Sequence, residues 1–387
     1  MELRTITAGA REEDLARAAK AAQAARERLT AAGYTVQTLR VALATSGSNR
    51  CGDFATIAQA AEEQALAAGF DYLAIGQLDD DRLAALPEAI VATSGLFASA
   101  PIVDAEGRPR PTTIRLAAEA IAKIGAGTDH GFGNLRFAAS AFVGPGSPFF
   151  PAAYHAGGGP WLAVGPEAAS LAVEATKHQA PTTENHADIS QAVLGSRFAV
   201  LPSLTALIEQ HDAQIAAALG GLATETGVPF AGCDWSLAPH PDPHRSVGAA
   251  IEALAGVPFG GWGTLAGVRA LTAAIRAAKV AHLGFSGVML PVLEDAVLAQ
   301  RNAEGRYTLR DLLAFSAVCG TGLDTIPLPG DSAPEQIAGV LTEVATLAST
   351  LRKPLTARLL PIPGLRAGDM TTFDFPYFVN TRVMGLV

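Results

Sequence analysis

The sequence contains few cysteines, few aromatic residues and few charges for its length. Its three cysteines, Cys51, Cys233 and Cys319, lie far apart among 387 residues. This number and spacing exclude a disulfide framework and a CxxC zinc cluster, and they favour a reducing compartment. Aromatic residues make up 6% and charged residues 17%, whereas hydrophobic residues reach 49%. A chain with that much apolar material is not mainly disordered, because it can bury a core.

The sequence also lacks a basic excess and a long apolar run. It has 28 basic and 37 acidic side chains, for a net charge of −9. A nucleic-acid binder concentrates basic residues on one face, so we expect no nucleic-acid partner. No apolar run approaches the roughly 18 residues of a membrane span, and acidic residues occupy the place of a signal peptide's basic region. We therefore expect a cytoplasmic protein with no membrane partner.

Segments typical of strands and helices alternate along the chain. Residues 3–7 are β-leaning, 12–32 are rich in strong helix formers, and 35–44 read as a second strand. Residues 201–226 predict one long helix. This alternation predicts an α/β fold with a buried sheet.

The length allows one large domain or two of ordinary size. No repeat and no linker-like change in composition divides the chain. We therefore predict a single compact α/β domain over residues 1–387, with residues 1–130 as a packed subregion.

Tyr154 and His155 form the first candidate site. They follow an apolar run and precede three consecutive glycines, residues 157–159. Glycine lets a ligand approach the backbone closely. His155 is thus a candidate catalytic residue and Tyr154 a substrate-binding one, although a histidine in this position could equally be a satisfied rim residue.

The second candidate site lies in the segment GCDWSLAPHPDPHR. Asp234, His240 and His244 are ligand types for divalent metals, and Ser236 is a candidate substrate-binding residue. The spacing matches no standard motif. The alternative is that Asp234 and Ser236 organise a turn while both histidines are solvated.

Glu294 and Asp295 stand at the start of a predicted helix and form the third candidate site. Adjacent carboxylates point about 100° apart on a helix, so only one of them would face a site, and Glu294 is the candidate metal ligand. Acidic residues also favour helix N-termini through the macrodipole, which is the alternative explanation.

Cys319, Gly320, Gly322 and Asp324 form the fourth candidate site, in a predicted loop after a helix. The glycines could bring the backbone to a substrate, while Cys319 and Asp324 would be catalytic. A functional thiol needs a cation or a helix N-terminus to lower its pKa. Otherwise Cys319 is a small buried hydrophobe.

Arg358 and Thr371 come from the C-terminal segment KPLTARLLPIPGLRAGDMTTFD. Arg358, on a predicted strand, could clamp a carboxylate or phosphate of the substrate with two hydrogen bonds. It could equally neutralise a buried aspartate. Thr371 is a candidate substrate-binding residue.

Several of these segments resemble the recurrent blocks of one protein family. The resemblance covers nearly the whole chain and rests on these segments: RTITAG, NLRFAASAFVGPGSPFFPAAYH, DWSLAPHPDPHRSVGAAIE, GFSGVMLPVLEDA, CGTGLDTIPLPGD and KPLTARLLPIPGLRAGDMT. They are similar to domain of unknown function 711, also called uncharacterised protein family 0210.

The resemblance implies a barrel-like sheet surrounded by helices, resembling the α/β barrel of glycyl radical enzymes. Those enzymes carry an active cysteine on an inward loop, a position that Cys319 would match. The ending TRVMGL also resembles part of a glycyl radical signature. A radical glycine is flanked by chain on both sides, whereas Gly385 is followed here by only two residues, so we do not expect radical chemistry.

In an enzyme, ionisable side chains of different types from these distant segments would meet in one pocket. We therefore expect an enzyme that acts on a small polar metabolite, by metal-assisted hydrolysis or lyase chemistry with a divalent metal. The alternative is a metabolite-binding or regulatory protein without turnover. We also expect a homo-oligomer.

Overall fold

The computed structural model describes residues 1–44, 53–177 and 201–386. Their strands form one nine-stranded sheet flanked by helices, which confirms the predicted α/β class. The strands are β1 (Glu2–Ala10), β2 (Thr35–Leu43), β3 (Tyr72–Gln77), β4 (Leu96–Pro101), β5 (Phe137–Ala141), β6 (Trp161–Pro166), β7 (Phe230–Cys233), β8 (Gly322–Pro329) and β9 (Leu355–Ile362).

The helices of the described ranges are numbered in chain order. They are α1 (Leu15–Ala31), α2 (Phe54–Ala67), α3 (Asp80–Ala84), α4 (Leu86–Ala92), α5 (Pro111–Gly127), α6 (Ala169–Lys177), α7 (Leu201–Ala218), α8 (Leu222–Thr226), α9 (Val247–Ala255), α10 (Thr264–Ala277), α11 (Ala296–Ala303), α12 (Leu309–Ser316) and α13 (Pro334–Leu351). Within these ranges no helix combines the length and the apolar character needed to cross a membrane.

The helices pack on the sheet through small side chains. In α1, the buried residues are Leu15, Ala18, Ala21, Ala22, Ala25 and Leu29. They recur every three or four positions and so form one apolar stripe. Because alanine has a short side chain, such a stripe lets the helix lie close to the strands.

The sheet contains parallel and antiparallel pairs, and it combines strands from the beginning and the end of the chain. Its order is β7-β6-β1-β2-β3-β4-β5-β9-β8. Strands β1 to β5 run parallel, while β6 is antiparallel to β1 and β9 is antiparallel to β5. The first strand of the chain therefore lies inside the sheet, third from one edge, with later strands added on both sides.

The extended segment 282–291 links the two edges of this sheet. Single parallel bridges join Leu237, just after β7, to Val288 and join Pro291 to Asp324 of β8. The Leu237 amide donates to the Gly287 carbonyl at 3.0 Å. The strand ladders themselves remain open between β7 and β8, but these bridges wrap the sheet into a barrel-like shape with an enclosed face.

In two segments the secondary structure differs from the sequence prediction. The helix predicted over 201–226 is divided at Gly220 and Gly221, where Gly221 adopts a left-handed φ of 79° that a helix interior does not allow. The segment after Cys319 is not a loop but β8. Its prolines are compatible with a strand because β8 is an outer strand that needs amide donors on one side only.

Candidate functional site

A pocket opens on the enclosed face of the sheet, near the amino ends of β1, β3 and β4. Its volume is about 150 Å³. A space of that order holds a molecule about as large as benzene. Charged side chains from both sides of the barrel line it, namely Arg4, Arg40, Glu294, Asp324 and Arg358.

Arg358 holds two carboxylates at the wall of the pocket. Its Nε donates to Asp324 Oδ1 at 2.6 Å, and its Nη2 donates to Glu294 Oε1 at 2.7 Å. The three side chains are between 10% and 13% exposed. Arg358 lies on β9 and Asp324 on the adjacent β8, whereas Glu294 follows the closing segment 282–291. Of the two predicted roles, neutralising a buried aspartate is the one that Arg358 fills here.

Arg4 extends this cluster across the barrel. Its Nη1 donates to Glu294 Oε2 at 3.0 Å, and its Nη2 also contacts Glu167 at 3.4 Å and the Pro239 carbonyl. Arg245 in turn pairs with Glu167. Both oxygens of Glu294 are therefore taken by arginines.

Burial raises the pKa of Asp324 above the ordinary value of an aspartate, against the opposing attraction of Arg358. The negative charge of Glu294 raises it further. For Arg358, burial disfavours the cation, but the charges of Asp324 and Glu294 more than compensate and raise its pKa. Asp324 is thus a carboxyl group whose proton affinity the surroundings have increased.

Arg40 of β2 is held differently from the other two arginines. Its guanidinium carbon lies 5.6 Å from the ring centroid of Tyr72 and 5.3 Å from that of Phe150, within cation–π range. Its Nε donates to Thr38 Oγ1 at 2.9 Å. Burial, followed by repulsion from Arg4, lowers the pKa of Arg40 to about 10.

Apolar side chains form the remaining walls of the pocket. Phe97 and Phe150 pack at a centroid distance of 5.2 Å on one side. Phe375 and Tyr377 from the C-terminal segment lie on another side. The site thus combines a charged wall with an aromatic one, as small-molecule sites commonly do.

Asp234 and Ser236 lie outside this pocket and organise a turn. Asp234 Oδ1 accepts hydrogen bonds from the amide and hydroxyl of Ser236, at 3.0 and 2.7 Å, and from the Ser286 amide at 2.9 Å. Its Oδ2 accepts from the Phe285 amide at 2.8 Å. Asp234 therefore ties β7 to the segment that closes the barrel.

The predicted metal ligands Asp234, Glu294, His240 and His244 do not gather. His240 is half-buried against Tyr377, at a centroid distance of 6.0 Å, while His244 is exposed. Across residues 1–44, 53–177 and 201–386, no three His, Cys, Asp or Glu side chains are grouped as a metal site would need. Glu294 instead contacts two arginines.

Tyr154 and His155 line a second pocket of about 590 Å³. The His155 ring stacks on Trp161 at 6.2 Å and its Nδ1 accepts from the Gly157 amide at 3.1 Å. The Tyr154 hydroxyl donates to the Val143 carbonyl at 3.2 Å. This pocket borders Ala44, next to residues 45–52, which lie outside the described ranges together with Cys51.

Cys319 is fully buried in the main hydrophobic core, outside the lining of both pockets. Its Sγ accepts from the Gly322 amide at 3.3 Å, and Lys353 Nζ binds its carbonyl rather than its thiol. Gly320 packs directly on Gly287, since a Cβ there would meet Gly287 Cα at 2.6 Å. Gly322 has a positive φ of 99° and lies against the Thr356 backbone.

Thr371 is buried near the C-terminus, where its hydroxyl donates to Asn380 Oδ1 at 2.9 Å. The structure therefore brings Glu294, Asp324 and Arg358 together in the pocket. His240 lies beside the pocket against Tyr377, and the other predicted site residues lie elsewhere. Sequence reasoning missed Arg4 and Arg40. Each interrupts an apolar strand pattern, in ELRTITAGA and TVQTLRVAL, and that interruption was the available signal.

These features define an α/β protein with a barrel-like sheet and a charged pocket on its enclosed face. The chain belongs to the family described as Uncharacterised ACR (DUF711), whose model matches residues 2–374. This match confirms the resemblance to uncharacterised protein family 0210.

Curated relatives agree with this assignment. The chain is 31% identical over 306 residues to a UPF0210 protein of Pyrobaculum islandicum, which covers 78% of this chain and 64% of the relative. It is 36% identical over 239 residues to a UPF0210 protein of Pyrobaculum aerophilum, covering 60% and 51%. For a UPF0210 protein of Methanopyrus kandleri the values are 31% over 332 residues, 81% and 70%. The chain thus matches 51% to 70% of the length of these three relatives.

Proposed function

We propose that this protein is an enzyme in which Asp324 acts as a base and removes a proton from a small polar metabolite bound in the pocket, in a lyase or hydrolase reaction. The observation that carries the proposal is the asymmetry of the two carboxylates. Arg358 engages Asp324 only through Oδ1, whereas both oxygens of Glu294 are engaged by Arg358 and Arg4. Asp324 Oδ2 is therefore the carboxylate oxygen left for a substrate proton.

The surroundings also tune Asp324 for this role. Burial keeps the pKa of Asp324 above that of an ordinary aspartate, which brings it closer to neutral pH and makes the carboxylate a stronger base. Arg358 fixes the carboxyl group in place through its other oxygen. Glu294 supports Arg358 and, with its own charge, helps to raise that pKa.

Asp324→Asn is the direct test, because it preserves the shape of the side chain and removes the base. Purified protein is incubated with a metabolite extract, and mass spectrometry identifies compounds that are consumed. We expect the wild type to consume one compound and Asp324→Asn to lose about 100-fold or more of that rate. Asp331→Asn, an exposed aspartate just after β8, should keep the rate.

The pH profile gives a second readout of the same residue. A base works only when ionised, so the rate should rise with pH through the pKa of Asp324. Because burial raises that pKa, the rise should lie above the range of an ordinary aspartate. A rate that is flat across the acidic range would contradict the assignment of Asp324 as base.

A non-catalytic metabolite-binding protein is the second candidate function. It is favoured by the three carboxylate oxygens that already contact arginines, since cations weaken a carboxylate as a base. A compound that raises the melting temperature of the protein and is never consumed would support this function.

A divalent metal, a homo-oligomeric state and a cytoplasmic location remain predictions. Elemental analysis of protein purified without chelators tests the metal, with about one metal per chain expected if it binds. Light scattering of the purified protein tests the oligomer.

A further inference from the structure

Arg40 differs from the other arginines of the pocket in having no carboxylate partner in the part of the chain that the structure describes. Among the described residues, its guanidinium makes one side-chain hydrogen bond, from Nε to Thr38. The two terminal nitrogens, Nη1 and Nη2, make no hydrogen bond to the described residues. Arg4 and Arg358, in contrast, are both paired with Glu294.

Contacts on three sides hold Arg40 in place although its terminal nitrogens bind nothing within residues 1–44, 53–177 and 201–386. The rings of Tyr72 and Phe150 flank the guanidinium at 5.6 and 5.3 Å, and Thr38 anchors its Nε. A planar guanidinium held in this way presents two parallel N–H groups, the geometry that a carboxylate or phosphate oxygen pair matches.

The local charge favours an anion at this place. The side chains that line the pocket carry three guanidinium groups, on Arg4, Arg40 and Arg358, against the two carboxylates of Glu294 and Asp324. Burial and the nearby Arg4 make the Arg40 cation less stable than usual, and its pKa falls to about 10. A bound anion would relieve both effects, because it replaces lost water and screens Arg4.

We propose that Arg40 is the anion-binding residue of this pocket and that the metabolite carries a carboxylate or a phosphate group, which Arg40 binds through Nη1 and Nη2. This inference rests on the proposed function, since it names the substrate class of the same site. The aromatic wall beside Arg40, including Phe97 and Phe150, would contact the uncharged part of the molecule.

Isothermal titration with benzoate and benzamide tests the proposal. The two compounds have nearly the same size, which suits the pocket, and only benzoate is an anion. We expect benzoate to bind and benzamide to bind about 10- to 100-fold more weakly, the difference expected for charge-assisted hydrogen bonds. Inorganic phosphate, compared with chloride at equal ionic strength, shows whether a phosphate group is accepted as well.

Variants connect the binding to Arg40. Arg40→Gln should weaken benzoate binding about 10- to 100-fold, whereas Arg310→Gln, an exposed arginine on α12, should not. Arg40→Lys keeps the charge but not the paired N–H groups, so it should bind benzoate more weakly than wild type. If Arg40→Gln does not fold, Arg40→Lys carries the test.

The proposal is overturned if benzoate and phosphate both fail to bind at millimolar concentration, or if the folded Arg40 variants bind them as the wild type does. Asp324→Asn separates this result from the proposed function, because it should keep benzoate binding while losing turnover. If an anion binds through Arg40 and no compound is consumed, the proposed anion site stands and the proposed enzymatic function is rejected. If an uncharged compound is consumed and its consumption depends on Asp324 but not on Arg40, the enzymatic function stands and the anion site is rejected.

Discussion

The guanidinium of Arg358 shows how one buried residue can be necessary for two others. Arg358 lies between Asp324 and Glu294 and donates to them at 2.6 and 2.7 Å, so one buried cation contacts two carboxylates. A buried ion pair adds little net stability, but the loss of one partner leaves an uncompensated charge. Stability at this site therefore depends on the cluster as a unit.

Arg358→Ala should lower the free energy of unfolding by about 3 kcal/mol, because it leaves two buried carboxylates without their shared cation. Urea denaturation followed by circular dichroism measures the change. Arg108→Ala is the control, since Arg108 pairs with Asp104 and Glu106 at the surface and its loss should change stability little. Equal effects of the two substitutions would contradict the role of burial.

Native alkylation should distinguish the buried thiols from a reactive one. Cys233 and Cys319 are both fully buried, and burial raises the pKa of Cys233. Iodoacetamide should label both thiols only when the protein unfolds and exposes them. Peptide mass spectrometry with and without denaturant measures the labelling. Rapid native labelling of Cys319 would instead support the catalytic thiol that the glycine-rich sequence suggested.

Among the elements, Asp295 joins two helices that are far apart in sequence. It is the N-cap of α11, where its Oδ1 accepts from the Val297 and Leu298 amides at 3.0 and 2.9 Å. Its Oδ2 accepts from the Val247 amide at 2.6 Å, at the start of α9. One carboxylate therefore satisfies the free amides of two helix ends.

Asp295→Ala should cost about 3 kcal/mol in the free energy of unfolding, because several buried amides lose their acceptor at once. Chemical denaturation measures it. Asp53→Ala removes an exposed N-cap of a single helix, α2, and should cost clearly less. A loss no larger than that of the control would mean that water satisfies the α9 and α11 amides.

The elements that sequence patterns predicted well are those with a strong local signal. The stripe of alanines in α1 and the apolar run of β1 each indicate, from the local sequence alone, which residues are buried. Strand β8 has no such signal, because its glycine and prolines are typical of a loop and only pairing with β9 makes it a strand. Asp295 illustrates the same limit. Its acidic helix start was visible in the sequence, while its bond to α9, 48 residues away, was not.

At the scale of the whole molecule, the candidate site depends on how the barrel closes. Glu294, Asp324 and Arg358 each occur in a distinctive segment, so residue types alone indicated them. Arg4 and Arg40 each interrupt a strand pattern, but their place in the site follows only from the sheet, which puts β1 and β2 opposite β8 and β9. Cys319 and Asp234 are equally conspicuous in sequence, but the fold uses them in the core and in a turn.

Gly320→Ala should disturb this closure. A Cβ on Gly320 would lie 2.6 Å from Gly287 Cα, at a contact between two backbones that cannot separate without opening the barrel. We expect a loss of about 3 kcal/mol in the free energy of unfolding and weaker ligand binding in the pocket. Gly339→Ala, inside α13 with open space around it, should instead raise stability by up to about 1 kcal/mol. Thermal unfolding of both variants measures the contrast.

The ion pair between Arg4 and Glu294 also has a consequence for the synthesis of the chain. Its two residues are 290 positions apart. Strand β5 likewise pairs with β9, which comes much later in the chain. Such a high contact order makes folding slow, because loop-closure entropy must be overcome before these contacts form. Residues 4 to 358 must therefore all be synthesised before the pocket can form. A ligand of this pocket would therefore stabilise only molecules in which these distant contacts have already formed.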